Sequence, residues 1–335
     1  MVYIHVPFCR SFCTYCDFYS EIACRGKDTE IFDGYVAELC GEMDRRREEI
    51  EATRALNTLY IGGGTPSVLP PHCLNKIVSG LDCGSFDEFT IEVNPEDIVE
   101  KGPDYVAALS DIGANRISMG VQSLDDKTLK WMNRRHSSDG ARRAFDILRH
   151  SGMDNVSVDI IFGISDSGNS LKGTLDEILE WKPEHVSAYQ LSIEEGSTLA
   201  LMRNRGEYTE ASDEKCRLQY DFIRERLASN GYEHYEISNW ALPGRRAVHN
   251  SAYWHRLPYA GLGPGAHSLK GENIRSWNSK DLSGWTSSEE YLSQEEIREE
   301  RLMLGLRTLE GVDGKRIPES DWFISDSLIT DIVLS

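Results

Sequence analysis

From residue 1 to about residue 230, short apolar runs alternate with longer amphipathic stretches, six times over. The runs are Tyr3–Val6, Thr58–Ile61, Phe89–Val93, Arg116–Gly120, Val156–Phe162 and Val186–Leu191, each of strand length. Between or after them stand helix-like stretches such as Asp33–Glu49, Asp104–Ile112, Ala141–His150 and Glu214–Ala228. Regular exchange of a two-residue for a 3.6-residue period predicts βα units repeated around a parallel sheet, hence an α/β fold of partial-barrel type. Barrels of this kind gather ligand sites at the C-terminal ends of their strands. Gly62–Pro66, Glu92, Gln122 and Asp159 all fall at or just past a predicted strand end. After residue 230 the pattern breaks into short Gly-, Pro- and Trp-containing pieces and then a helix-like Gln294–Leu306. The expectation is a core over residues 1–230 and a smaller accessory domain over 231–335.

Three cysteines, Cys9, Cys13 and Cys16, stand before the first predicted helix at the spacing C-x3-C-x2-C. With cysteine this sparse, such a match arises by chance in roughly one of two hundred chains of this length. Three thiolates suit an iron–sulfur cube with one iron left open, since a fully ligated cube takes four. A structural zinc ion is the competing occupant, and it would want a fourth Cys or His. Cys24, Cys40, Cys73, Cys83 and Cys216 form no second pattern and read as small hydrophobes. The run Thr58-Leu-Tyr-Ile61 leads into Gly62-Gly-Gly-Thr-Pro66, a glycine turn that lets backbone approach a ligand closely.

The formal net charge of −19 argues against a nucleic-acid partner. The basic run Arg45-Arg-Arg47 is flanked by acids and reads as a solvated helix face. No apolar run approaches the roughly 18 residues of a membrane span. A strand expected from Val2 leaves no room for a leader ahead of it, so the expected compartment is the reducing cytoplasm.

Cysteines and glycine turn together resemble the radical S-adenosylmethionine superfamily. The resemblance implies a 4Fe–4S cluster on Cys9, Cys13 and Cys16 whose open iron binds S-adenosylmethionine, and a partial six-unit barrel. It narrows to the group holding oxygen-independent coproporphyrinogen III oxidase and the haem chaperones. Tyr3-Ile-His-Val-Pro-Phe-Cys9, Thr90-Ile-Glu-Val-Asn-Pro95, Gly120-Val-Gln-Ser123, Val158-Asp-Ile-Ile-Phe-Gly163, Tyr189-Gln-Leu-Ser192 and Glu236-Ile-Ser-Asn239 look like its blocks, in its order. By that resemblance Tyr3, Tyr15, Gly64, Thr65, Pro66, Glu92, Gln122, Arg134 and Asp159 contact S-adenosylmethionine. Gln122, Arg134 and Asp159, with Thr65 and Pro66, match positions that hold a second molecule of it in the oxidase. Read as residues alone, the same polar groups also suit an internal ion-pair network.

Two places bear on which branch this chain follows. Members with oxidase activity have a further cysteine two residues after the last cluster ligand, where this chain has Phe18. The block His249-Asn-Ser-Ala-Tyr-Trp254 is similar to the one marking the chaperone branch, in which the histidine is implicated in binding haem iron. The resemblance thus implies haem on His249, Asn250, Tyr253 and Trp254, with Arg245 and Arg246 near the propionates. A neutral imidazole ligates haem iron and flat aromatics suit a porphyrin face. A histidine and two aromatics also serve simply to pack a small core. The function expected is a haem chaperone that passes haem to an acceptor protein, at the membrane or elsewhere. The alternative is oxidative decarboxylation of coproporphyrinogen III to protoporphyrinogen IX. Relatives of the group imply a homodimer and a longer C-terminal tail than the residues after Trp322-Phe323 supply.

Overall fold

The computed structural model describes residues 1–22, 28–165 and 170–334, so Cys24 lies outside the described residues. Six strands pair in chain order, all parallel: β1 (Val2–Val6), β2 (Thr58–Gly63), β3 (Glu88–Val93), β4 (Arg116–Gln122), β5 (Val156–Phe162) and β6 (His185–Gln190). The crossovers carry α1 (Asp28–Arg45), α2 (Pro71–Gly80), α3 (Pro95–Asp111), α4 (Ser138–His150) and α5 (Ser170–Trp181), and α6 (Asp213–Ala228) follows the sixth strand. These are the six predicted units. The stretch Pro95–Asp111 is two helices meeting at Gly102, whose φ of 69° and ψ of −168° are not helical. The helix expected from Asp104 is the second, which Pro103 opens at a position where no helical donor is needed.

The chain after residue 230 extends both edges of the same sheet. On one side β7 (Glu233–Glu236) and β8 (Asn239–Ala241) form a hairpin whose second strand runs antiparallel to β6. On the other, β9 (Ala260–Leu262) pairs in parallel with β1, Val2 beside Ala260. The order is β9-β1-β2-β3-β4-β5-β6-β8-β7, and among the described residues the two edge strands do not pair, which leaves the barrel open. The short helix α7 (Val248–Trp254) lies between these edges in sequence and meets β2. A separate antiparallel sheet follows: β10 (His267–Lys270), β11 (Ile274–Asn278) and β12 (Ser287–Tyr291). Then comes α8 (Gln294–Gly305), which starts at Ser293 because Ser293 and Glu296 cap each other's backbone reciprocally.

Alternation along the strands sorts their side chains into two layers. Ile4, Leu59, Ile61, Phe89, Ile91, Ile117, Met119, Val158 and Ile160 are buried on the outer face, against helix residues such as Leu39, Leu74, Ile77, Val106, Leu148 and Ile178. Each such side chain contributes about 1.5–3 kcal/mol by leaving water. The other face carries Tyr60, Thr90, Glu92, Arg116, Ser118, Ser157, Asp159 and Ser187, linked across neighbouring strands by register. Closed barrels fill this space with branched apolar residues. Here the interior is polar, and the core that stabilises the fold is the layer between strands and helices.

Candidate functional site

The polar interior opens into a cavity of about 910 Å³ at the C-terminal strand ends. Cys9, Cys13, Cys16, Tyr15, Gly64, Thr65, Glu92, Gln122, Arg134, Asp159 and Asn250 line it. Of the other residues singled out from sequence, Tyr3, Pro66, His249, Tyr253 and Trp254 do not. Tyr3 hydrogen-bonds His5 Nδ1 at 3.0 Å, and Pro66 opens a buried 3-10 turn.

The cysteines sit on a loop that leaves β1 through the short strand Phe8–Cys9. Its shape is set by its neighbours. Thr14 donates to the Trp131 carbonyl at 2.8 Å and through its backbone N–H to Met132 O at 3.1 Å, while Asn133 donates to Phe12 O at 2.7 Å. Arg134 Nη1 stands 3.5 Å from Cys13 Sγ, and Thr65 Oγ1 the same distance from Cys9 Sγ. Burial pushes the Cys9 thiol up and takes the Cys16 thiol to about 11, so these groups become thiolates when a metal displaces their protons. Among the described residues the group drawn within 4.8 Å, as ligands of one ion are, is Asp33, His72 and Cys73, not these three. Among the described residues neither a histidine nor a fourth cysteine lines the cavity to complete a four-coordinate zinc site. Three cysteines on one rim, not drawn together for a single ion, fit a 4Fe–4S cluster.

The glycine turn brings two strand ends together beside that rim. A Cβ on Gly64 would stand 2.7 Å from Phe8 O, and one on Gly63, whose φ is +110°, 2.6 Å from the His5 ring. This contact frees two backbone donors for the cysteine strand: Gly64 N to Val6 O at 2.8 Å and Thr65 N to Phe8 O at 2.7 Å. Glu92 accepts from Tyr60 Oη at 2.7 Å and Gly63 N at 3.1 Å. Burial raises it to about 7, partly offset by the Tyr60 bond. Asp159 accepts from Ser118 Oγ at 2.9 Å and Ser157 Oγ at 3.3 Å, and burial raises it too.

Gln122 enters the cavity from a bulge at which the pairing register of β4 shifts, with a left-handed φ of 65°. A Cβ at position 120 would lie 2.9 Å from Gln122 Nε2, the mobile end of that side chain, so a larger residue there would push the Gln122 amide aside. Arg134 donates through Nη2 to Asn94 Oδ1 at 2.6 Å and Gly120 O at 2.7 Å, while its buried Nε has no partner. Asn94 in turn donates to Thr65 Oγ1 at 3.1 Å, tying three strand ends into one frame. Carboxylates, an amide, a guanidinium and open backbone suit a ligand with hydroxyls, an ammonium and a carboxylate, as S-adenosylmethionine has. Asn94, Tyr60 and Arg116 belong to this cavity but were not singled out from sequence. Period-two counting inward from Glu92, Gly62 and Gly120 would have found them.

The haem block is placed differently. His249 is 0% exposed, with Nδ1 2.9 Å from Thr58 Oγ1 and Nε2 3.0 Å from Tyr253 Oη. Burial brings its pKa down to about 3, so the ring is neutral. The N-terminus of α7 is fixed by Glu88, whose carboxylate accepts from Val248 N at 2.8 Å and His249 N at 2.7 Å. Asn250 faces the large cavity, Tyr253 lines a second one, and Trp254 lies by Arg307. Arg246 is paired with Glu310 at 2.6 Å.

Residues 3–178 match the Radical SAM superfamily. The chain is 34% identical to "Heme chaperone HemW" of Lactococcus lactis subsp. lactis (strain IL1403), over 92% of this chain and 82% of that one. It is 31% identical to the protein of that name from Mycobacterium tuberculosis (strain CDC 1551 / Oshkosh), over 99% and 88%, and 31% identical to that of Escherichia coli (strain K12), over 88% and 78%. The solved coproporphyrinogen III oxidase (HemN) of Escherichia coli superposes with a TM-score of 0.77 at 20% identity, covering 92% of this chain and 75% of that one. No helix among the described residues is long and apolar enough to cross a membrane. Fold, polar barrel interior and similarity along most of its length agree, and the chain belongs to the radical SAM superfamily and, within it, to the HemW family.

Proposed function

We propose that this protein is a cytoplasmic haem chaperone: it carries a 4Fe–4S cluster on Cys9, Cys13 and Cys16, binds S-adenosylmethionine in the barrel cavity, and passes haem to an acceptor protein. The observation that carries the reading is its similarity to relatives named "Heme chaperone HemW" over 92% and 99% of the chain. Phe18 supports it, standing 67% exposed at the cavity rim at the position where the resemblance puts the oxidase's extra cysteine. The cluster with its bound S-adenosylmethionine supplies one-electron chemistry at the sulfonium. The protein's own part is positioning: Glu92 accepts from ligand hydroxyls, Arg134 offers its free N–H to a carboxylate, and the glycine turn allows close approach.

Anaerobic reconstitution with iron and sulfide, followed by haem addition with coproporphyrinogen III and S-adenosylmethionine in parallel, tests the assignment. Stoichiometric haem uptake without decarboxylated product is the expected result. Conversion of coproporphyrinogen III to protoporphyrinogen IX would replace the chaperone with the oxidase.

Glu92 makes a second expectation. Its carboxylate form accepts hydroxyl protons, and with a pKa of about 7 in the free protein that form is lost as pH falls through neutrality. Affinity for S-adenosylmethionine should therefore rise between about pH 6 and pH 8, and the rise should flatten in Glu92→Gln. An equally steep profile in the variant would assign the titration to another group.

A further inference from the structure

The second cavity, about 510 Å³, shares no lining residue with the first. One wall is the small antiparallel sheet. Its alternation puts His267 and Leu269 of β10 on one face with Trp277 and Arg275 of β11, His267 opposite Trp277 and Leu269 opposite Arg275. The His267 ring is exposed and stacks on Trp277, the centroids 6.3 Å apart and the planes inclined by 26°. Among the described residues no hydrogen bond holds either ring nitrogen, in contrast to His249. The opposite wall is Tyr253 of α7 with Met303 and Leu304 of α8. Leu257 and Met303 are each 40% exposed there, so apolar surface lines a slot open to solvent.

Arg256 lies within this lining. Its side chain is 8% exposed, its Nε donates to Glu300 at 2.8 Å and its Nη1 to Glu272 O at 2.7 Å. Its Nη2 is buried with no partner. A charged donor left unpaired in a buried site is costly, and a ligand carboxylate would satisfy it. Free imidazole, aromatic and thioether walls, and an orphaned guanidinium donor together describe a flat, apolar, metal-bearing ligand with carboxylates at its edge.

Resting on the haem-carrier reading, we infer that this slot is the haem site, with His267 as the iron ligand, Trp277 and the α7–α8 wall as its apolar surroundings, and a propionate on Arg256. Burial and the neighbouring Arg275 lower the pKa of His267, which keeps the ring in its ligating neutral form. His249 then has a positioning role. It holds Tyr253 at the slot from one side of α7, while Asn250 on the same short helix faces the S-adenosylmethionine cavity. A haem effect of changing His249 thus needs no bond from it to iron.

The test is titration of the full chain with ferric haemin, followed by absorbance, for wild type, His267→Ala and Arg256→Gln. His267→Ala is expected to bind roughly ten- to a hundred-fold more weakly, with a displaced Soret band that added imidazole restores. Arg256→Gln should lose about ten-fold for haemin and nothing further for its dimethyl ester, which lacks the carboxylates. Unchanged circular dichroism would show that both variants fold. If wild type binds haemin and both variants keep its spectrum and affinity, the slot is not the site although the carrier reading stands. If wild type itself takes up no haemin, the carrier reading falls first.

Discussion

Glu42→Ala should lower the free energy of unfolding by about 3–5 kcal/mol, a large share of the 5–15 kcal/mol typical of a folded domain. Glu42 is on α1, 3% exposed, and four donors, three of them from distant parts of the chain, converge on its carboxylate. Arg46 Nη1 stands at 2.6 Å, Gly263 N at 2.8 Å, Asn278 Nδ2 at 2.8 Å and Trp285 Nε1 at 2.9 Å. Arg46 goes on to Gly261 O at 2.7 Å and Ser268 Oγ at 2.8 Å. Removing the carboxylate strands Gly263 N and Trp285 Nε1 in a site that water does not reach, takes one of two acceptors from Asn278 Nδ2, and leaves Glu49 as the remaining charge partner of Arg46. The damage is also architectural, because these bonds attach α1 to β9 and the small sheet, and β9 completes the sheet beside β1. Urea denaturation measures it. A loss below about 1 kcal/mol would mean that solvent enters and replaces the carboxylate.

Legibility in the sequence follows the range of the interactions. The six βα units depend on local periodicity, and all six are found. The cluster loop and glycine turn depend on residue types that have few other reasons to occur together, and both line the cavity. The polar barrel interior was within reach as well. The strand Arg116-Ile-Ser-Met-Gly120 alternates strictly, with Arg116, Ser118 and Gly120 facing inward, yet it reads as an apolar run if alternation is not counted. What local pattern does not encode is the pairing of Val2 with Ala260, since nothing in either tripeptide specifies a partner so far along the chain. The same holds for His249. Its residue type announces a ligand, but one ring nitrogen meets Tyr253 a helical turn away and only tertiary structure supplies Thr58 to occupy the other. His267 sits on an edge strand with no motif around it, and its claim to a role comes from neighbours on other elements.

Arg134→Ala should weaken S-adenosylmethionine binding by about a hundred-fold, near the low end of the 2–5 kcal/mol lost when one partner of a buried charge pair is removed. Burial opposes the charge on this guanidinium, yet Tyr15, Cys13 and Glu96 around it raise its pKa, so it stays protonated throughout the working range. Two of its nitrogens are spent on the frame: Nη1 on Cys13 Sγ, Nη2 on Asn94 Oδ1 and Gly120 O. The buried Nε is left over for a ligand. Arg134→Lys separates charge from shape, because an ammonium keeps the charge and loses the fork. An intermediate loss of about ten-fold is expected for it. Iron content and cluster absorbance, measured on the same samples, guard against an indirect effect through Cys13. If the cluster is intact and affinity falls in both variants, Arg134 acts on the ligand. If affinity stays within about three-fold of wild type, its role is confined to holding Asn94 and the Gly120 carbonyl. Calorimetric stoichiometry adds the last distinction: with two molecules bound, losing one while the other keeps its affinity would put Arg134, Gln122 and Asp159 around the second alone.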